Sequence, residues 1–587
     1  MGLNKFQSDV VNAFNRSNNN LLLVAPTGSG KTYIAEYIAK SVQGRVLYVE
    51  PLKAIVYQVI DDFHNKFNGY NNVIPLLTEV YEDDPEDIQE KIVVSSYEKA
   101  DSLTRRYYKF MDEVRLLVID EVHNVSDKER GKSIQSLVVW AKDNGIRIVS
   151  MSATVPFLHE LVKWLDADLV RSDDRPIPLY KYVRVGKTLY DGREKIELSY
   201  DLLDHMVKKK KVVMVFSSTK KKVEALYELY RKRYPNLVTF LHSGLHPDDR
   251  NARLHDILQG KYRIVFSTTL LGQGVNLPFY AVVFDDVRLP VIESGRFVGW
   301  KFINSMEFDQ ICGRAGRPGF DDEGLCIVDA QDMREAQKFI KRYVEGQDPE
   351  LVLEYDIREL VLTVITRKMF TDFDTVLRNV RYSLSFQDAT ERDVRYALDV
   401  LKDYDMIGEN DLGFYVTPYG RAVATSYIDI ETAGHFVEGI ELGKPFKEII
   451  YNSPKVLASA KGEDASWVIN AWISGIDEKE ILNHTDKLGY SDLTRLVGTV
   501  AWQSFALYRV LRSLGKDEDA KKVLSFHLSV AKGVPLDVVS LVSIPGIGRK
   551  KAMELRAKGV TSRAEICEKR DASKPILGEK MVNYLCQ

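Results

Sequence analysis

Apolar and polar positions along this chain fall into blocks whose character changes near residue 345. Before it, short apolar runs lead into Gly-rich turns and then amphipathic stretches. "NNLLLVAPTGSGKTYIAEYIAK" predicts a strand at Leu21–Val24, a turn and a helix, and "RLLVIDEVHNV" predicts another buried strand at Leu116–Ile119. "KVVMVFSSTKKKVEALYELY" opens a second strand–helix series, so the first 345 residues read as α/β. Within that series, "FDDVRLPVIESGRFVGWKFINSMEF" predicts a hairpin that turns near Ser294–Gly295 and exposes Trp300. Beyond it the patterning is helical. "ERDVRYALDVLKDYDMIGEN" with "DLGFYVTPYGRAVA" predicts a helix and a short hairpin around Gly413, and residues 426–530 read as all-helical. In "SDLTRLVGTVAW", Arg495 and Trp502 lie seven residues apart on one helix face, beside an apolar stripe that includes Leu496 and Val500. An isolated helix of this kind would be amphipathic, with a snorkelling Arg and a half-buried Trp.

Composition narrows the class. The chain has 587 residues, 45% hydrophobic and 28% charged, enough for roughly four domains. The net charge of -3 shows no global basicity, so any nucleic-acid surface must be local. The lysine runs 208–211 and 220–222 are expected to be solvated edges. No signal-peptide core or membrane-length apolar window occurs, and an intracellular, cytoplasmic protein with no membrane contact is expected. The four cysteines (Cys312, Cys326, Cys567 and Cys586) form no C-x-x-C pair, so neither a zinc site nor a disulfide framework is expected.

The candidate chemistry is phosphate chemistry. A Gly-rich turn between strand and helix, "APTGSGKT", is the context of a phosphate loop. Gly28 and Gly30 would let backbone N–H groups converge on phosphates, with Pro26, Thr27 and Ser29 completing the nucleotide-binding loop; Lys31 would reach the β- and γ-phosphates of ATP and Thr32 would ligand Mg²⁺. Ala25 stands where the usual pattern has Gly. Asp120 and Glu121 sit at the carboxyl end of a strand, where Asp120 can hold Mg²⁺ and Glu121 can activate water. A lone acidic pair after a strand is usually a solvated turn. The preceding loop and the "SAT" at Ser152–Thr154 decide against that here. In "EFDQICGRAGRPGFDDEG", helical spacing would put Gln310, Arg314 and Arg317 on one face, two guanidinium forks able to stabilise a transferring phosphoryl group.

With "DEVH" as its box, the chain resembles superfamily-two DExH-box helicases. The resemblance implies an adenine-reading Gln7 in "LNKFQSDVV" and coupling of nucleotide state to the second motor by His123, Ser152 and Thr154. It also implies strand contacts from Lys53 in "EPLKAIVYQ", Lys99 in "SSYEKADSL" and Thr268 in "STTLLGQGVNLP". Leu270 replaces a threonine usual in that last motif. In similar helicases the hairpin that carries Trp300 separates strands, although a plain connector fits its composition equally well.

The C-terminal "LVSIPGIGRKKAMELRAKGV" is a helix–hairpin–helix pattern, in which Gly546, Gly548 and Arg549 would grip a DNA phosphate. The order of parts resembles the archaeal superkiller-like DNA repair helicases, to which the polymerase theta helicase domain is related. It implies a first RecA-like motor at 1–178, a second at 179–345, a winged helix at 346–425, a helical ratchet domain at 426–530 and a helix–hairpin–helix domain at 531–587. The winged helix, with balanced charge on its helix, is expected to pack domains rather than bind nucleic acid. Arg495 and Trp502 would be base-stacking rungs. This resemblance implies an ATP- and Mg²⁺-dependent 3′ to 5′ DNA helicase acting on single-stranded and forked DNA in repair or replication, expected as a monomer. The alternatives left open are an RNA helicase of the same group and a non-unwinding, ATP-gated DNA remodelling clamp.

Overall fold

The computed structural model describes residues 3–26, 28–67, 69–77, 88–106, 108–153, 157–175, 177–198, 201–268, 277, 279–293, 296–316, 321–346, 351 and 353–586. Thr27, Thr154, Leu270, Arg317 and the Ser294–Gly295 turn lie outside them. The chain divides into two compact units, Met1–Val291 with Gly299–Val416 and Ile292–Val298 with Thr417–Gln587.

The first unit holds two α/β domains in tandem, the first on a fully parallel sheet and the second on a parallel core extended by the antiparallel strands of one edge. Seven strands form the first sheet: β1 (Asn20–Val24), β2 (Arg45–Glu50), β3 (Val73–Leu76), β4 (Ile92–Ser96), β5 (Val114–Ile119), β6 (Arg147–Ser152) and β7 (Ala167–Arg171). Their order is β3-β4-β2-β5-β6-β1-β7, with every pair parallel. Helices cover both faces, which is why β2, β4 and most of β1 and β5 are unbroken apolar or buried runs. Because β6 runs between β1 and β5, the carboxyl end of this sheet brings the turn after β1, the acidic pair after β5 and Ser152 side by side.

The second sheet begins with β8 (Leu179–Val185), β9 (Thr188–Tyr190), β10 (Lys195–Glu197), β11 (Val213–Phe216), β12 (Val238–Leu241), β13 (Ile264–Ser267) and β14 (Ala281–Phe284). After the separate hairpin β15 (Arg288–Glu293) and β16 (Arg296–Phe302) it ends with β17 (Gly324–Asp329). The order is β10-β9-β8-β17-β14-β11-β13-β12. Beyond β17 the first unit continues with helices Ile357–Thr366, Phe373–Arg381 and Glu391–Asp403 and the hairpin β18 (Ile407–Asn410)–β19 (Gly413–Val416). Gly413 has φ +114, and a Cβ there would meet the Thr371 carbonyl oxygen at 2.5 Å, so the hairpin needs glycine at that position.

The second unit's chain from Thr417 onward is helical. Its longest element, Tyr490–Ser513, buries Leu493, Leu496, Val497, Val500, Leu507 and Val510 against helices Pro418–Ser426 and Asp517–Lys532. That places the expected apolar stripe in a core. Among the described residues no single helix is long and apolar enough to cross a membrane.

The cysteines overturn an expectation. Cys312 pairs with Cys326, and Cys567 with Cys586. Spacing along the chain did not reveal this, because the partners meet only by packing. Cys312 at the end of its helix and Cys326 on β17 lie in one buried cluster, and helix Arg563–Glu568 lies against the last helix, Glu579–Leu585.

Candidate active site and nucleic-acid interface

The turn after β1 needs its glycines. Gly28 and Gly30 have φ +86 and +89, and a Cβ on Gly30 would lie 2.3 Å from the Gln7 amide nitrogen. Gly30 caps the helix Lys31–Ser41, whose N-terminal partial charge faces the turn. Asn4 and Gln7 form a capping box on the first helix: Gln7 N donates to Asn4 Oδ1 (2.8 Å) and Asn4 N to Gln7 Oε1 (3.0 Å). The Asn4 amide also donates to the Ser29 carbonyl at 3.1 Å, which ties this cap to the turn. Gln7 thus lies beside the turn, with its carboxamide oxygen engaged in the cap and its amide 3.5 Å from the Gly30 carbonyl. Lys31 is buried, and its ammonium donates to the carbonyls of Ala25 and Pro26. Burial lowers its pKa, while the charges of Glu121 and Asp120 oppose the shift.

The acidic pair leaves β5 in a constrained conformation. Glu121 has φ +47, uncommon for a residue with a side chain, and its N–H donates to Asp120 Oδ1 at 2.8 Å. Burial first, and then Glu121, pushes the Asp120 carboxyl up; burial likewise raises Glu121, while Lys31 and Arg314 pull it back. His123, two residues on, is 3% exposed, and burial holds its pKa down at about 4, so the imidazole is neutral. Its two nitrogens have separate partners. The Gln310 amide donates to Nε2 at 2.5 Å, which leaves the ring proton on Nδ1, 2.8 Å from Ser152 Oγ. His123 thus bridges Ser152 at the end of β6 and the helix that carries Gln310.

One sequence expectation about that helix is corrected. It runs Ser305–Cys312 and stops, so Gln310 and Arg314 do not share a helical face. The chain instead turns through Gly313, and Ala315 bridges to Phe279 beside β14. Gly316 (φ +90) completes the turn, and a Cβ there would strike Ile177 at 2.9 Å. Arg314 still acts on Glu121 electrostatically, although burial lowers its own pKa. Arg175 donates to the carbonyls of Gly313 (3.2 Å) and Ala315 (2.8 Å) and so holds this turn. It stands in no motif and was not anticipated. Tyr97 was also missed, although it lies inside "SSYEKADSL"; its hydroxyl donates to the Asp120 carbonyl, with the Glu121 carbonyl 3.4 Å away.

These two α/β halves, joined through a phosphate loop, an acidic box and an opposing arginine, agree with what comparison finds. Residues 4–161 match the DEAD/DEAH box helicase family, and residues 194–319 match the helicase conserved C-terminal domain. The chain is 44% identical to "Putative helicase 7" of Sulfolobus islandicus filamentous virus, across 100% of this chain and 99% of that protein. It is 25% identical to the "ATP-dependent DNA helicase Hel308" of Thermoplasma volcanium, covering 94% of this chain and 90% of the relative. The protein of the same name from Aeropyrum pernix is 26% identical over 92% and 85%. The chain is a Hel308-like superfamily-two helicase.

The strand-contact candidates of this helicase fare unevenly. Lys53 is exposed at the start of helix Lys53–Lys66, Thr268 is partly buried just after β13, and Trp300 on β16 is 53% exposed. Lys99 is 1% exposed. Its helix, Tyr97–Thr104, is buried almost throughout, so the lysine offers no accessible strand contact. In the second unit, Arg495 is exposed and paired with Asp492 at 2.6 Å. Trp502 is partly buried, and its indole N–H donates to the Ser426 carbonyl at 2.7 Å. Gly546 has φ +86 and Gly548 caps helix Arg549–Ala557. Arg549, however, points inward. It donates to the carbonyls of Gly533, Trp472 and Ile476 (2.8, 2.9 and 2.8 Å) and stacks on the Trp472 ring at 3.8 Å, so it joins two helical segments instead of presenting charge to a phosphate.

Proposed function

We propose that this helicase hydrolyses ATP with Mg²⁺ to move 3′ to 5′ along single-stranded DNA and to open forked repair or replication intermediates. The observation that carries this reading is the His123–Gln310 bridge with Arg314 acting on Glu121, which ties both motors to one hydrolytic centre. The names of the Hel308 relatives support DNA over RNA. In this reading five domains share the work, divided near residues 178, 345, 425 and 530.

Thr32 and Asp120 offer a hydroxyl and a carboxylate, hard oxygen donors that suit Mg²⁺ and leave positions for phosphates and water. The ion would neutralise phosphate charge as the terminal bond breaks. In this scheme Lys31 leaves the Ala25 and Pro26 carbonyls for the phosphates, Glu121 takes the proton of the attacking water, and Arg314 with Arg317 stabilises the charge that develops. His123, neutral and hydrogen-bonded across the two motors, couples that step to their closure.

The test compares ATP turnover with single-stranded DNA, with single-stranded RNA and with neither, followed by displacement of duplexes with 3′ or 5′ tails. DNA-stimulated turnover with 3′-tailed unwinding is expected. RNA-only stimulation would make it an RNA helicase, and stimulation without displacement a remodelling clamp.

A further inference from the structure

The segment that comes after the second motor packs on the first motor through buried polar groups. Asp143 accepts from the Asn379 amide (2.9 Å) and pairs with Lys368 (2.7 Å), and the Gln135 carboxamide oxygen accepts from the Ser383 hydroxyl at 2.6 Å. Within this interface one side chain reaches the helix Tyr97–Thr104. Arg367, directly after helix Ile357–Thr366, has a side chain 7% exposed and lies 3.1 Å from Asp101 Oδ1, a carboxylate with no exposure at all.

Two of the three guanidinium nitrogens anchor it there, while Nη1 is buried with no hydrogen-bond partner among the described residues. One nitrogen, Nη2, donates to Asp101 Oδ1, to Thr104 Oγ1 (2.7 Å) and to Ser136 Oγ (2.7 Å), and Nε donates to Thr104 Oγ1 at 3.1 Å. Asp101 also accepts from Ser136 Oγ and from Arg105, each at 2.6 Å. Burial pushes the Asp101 carboxyl up, yet Arg105, Arg367 and the Ser136 hydroxyl hold it below its ordinary value, so it is charged. A buried, charged carboxylate between two guanidinium groups fixes the helix that carries it.

That helix opens with Tyr97, four residues before Asp101, and the Tyr97 hydroxyl bonds the carbonyl of Asp120. Arg367 and the acidic box therefore meet the two ends of one buried helical turn. We infer that Arg367 is a positioning residue for ATP hydrolysis: through Asp101 and Tyr97 it sets the backbone that aims Asp120 and Glu121. The segment expected to be a winged helix thus has a task inside the ATP cycle. This inference rests on the assignment of Asp120 and Glu121 to hydrolysis.

The test measures kcat and KM for ATP, per folded molecule and with saturating single-stranded DNA, in full-length Arg367→Met, Arg367→Lys, Tyr97→Phe and the Arg367→Met/Tyr97→Phe double variant. Misplacement of a reacting group by about 1 Å costs up to about 10²-fold in rate. Arg367→Met and Tyr97→Phe should each lower kcat by about tenfold with KM changed less than about twofold. Arg367→Lys should recover part of the loss, and the double variant should be no slower than the slower single. The inference is overturned if folded Arg367→Met turns over at the parental kcat, if Tyr97→Phe is unaffected, or if the two losses multiply. Should Arg367→Met fail to fold, Tyr97→Phe, which removes one hydroxyl, and Arg367→Lys still decide. Asp120→Asn keeps the two failures apart: if it remains active the hydrolytic assignment falls, whereas an inactive Asp120→Asn beside a fully active Arg367→Met removes only the coupling.

Discussion

The nucleotide crevice of the first unit and the helical region of the second met their sequence expectations very differently. In the crevice, Gln7, Lys31, Asp120, Glu121, His123, Ser152 and Gln310, drawn from five separate stretches, converge. In the helical region, Arg549 turned inward and the Trp502 indole is hydrogen-bonded to a neighbouring helix. The difference lies in what each motif specifies. Crevice motifs encode backbone shape: glycines with positive φ, strand ends on one edge of a sheet, a helix N-terminus. Side chains placed by such features have few other directions available. A helical motif fixes only which residues share a face. Whether that face meets solvent or another helix is set by partners far along the chain.

The largest test of this contrast is in the crevice. Lys31→Ala removes a charge that acts on Glu121 and Asp120, and Asp120→Asn removes the carboxylate that Mg²⁺ would use. Each should lower ATP turnover by orders of magnitude. Single-strand binding, measured by fluorescence anisotropy, should largely survive. Parental turnover in both variants would remove the distinction and the hydrolytic site with it.

A smaller effect is expected at Arg549. Its guanidinium serves three carbonyls and covers the Trp472 ring, whose own N–H donates to the Val530 carbonyl at 2.8 Å. Arg549→Ala should cost on the order of 2–3 kcal/mol of stability, the scale of hydrogen bonds to charged groups, and lower the unfolding temperature. Lys550 beside it is exposed. Lys550→Ala should leave unfolding unchanged and weaken DNA binding in a salt-dependent way. If the two variants exchange these behaviours, the inward arginine is not the structural member of the pair.

How much could be read beforehand obeys the same division. The tandem α/β fold, the phosphate loop and the box were legible because parallel strands buried on both faces leave unbroken apolar runs that end in turns. The helical face assigned to Gln310 and Arg314 was misjudged, because Gly313 and the bridge at Ala315 end the helix sooner than spacing suggests. Lys99 was assigned a strand contact by resemblance, yet its helix is buried almost throughout. Tyr97, Arg175 and Arg367 act by hydrogen bonds to groups 23 or more residues away, and no local pattern announces such partners. The disulfides escaped for the same reason, since packing alone brings their cysteines to a Cα separation of 5.4 Å.

Trp502 gives the finest test, because both regimes meet in one side chain. Its neighbours Leu496 and Val500 are fully buried, its own ring is partly buried, and Arg495 on the same face is exposed. If the ring is a base-stacking rung, Trp502→Ala removes roughly 1–3 kcal/mol of grip on the strand. DNA-stimulated hydrolysis should then persist while fewer base pairs open per ATP consumed. Loss of the bond to the Ser426 carbonyl adds a stability cost of about 1 kcal/mol, a small downward shift in unfolding temperature. Trp502→Phe separates the two contributions: it keeps a stacking face and loses the N–H. It should recover part of the lost coupling while unfolding as early as Trp502→Ala. A ring that served only the core would behave otherwise. Trp502→Ala would then cost about 3–5 kcal/mol, and unfolding temperature and DNA-free turnover would fall together, with no separate change in base pairs opened per ATP.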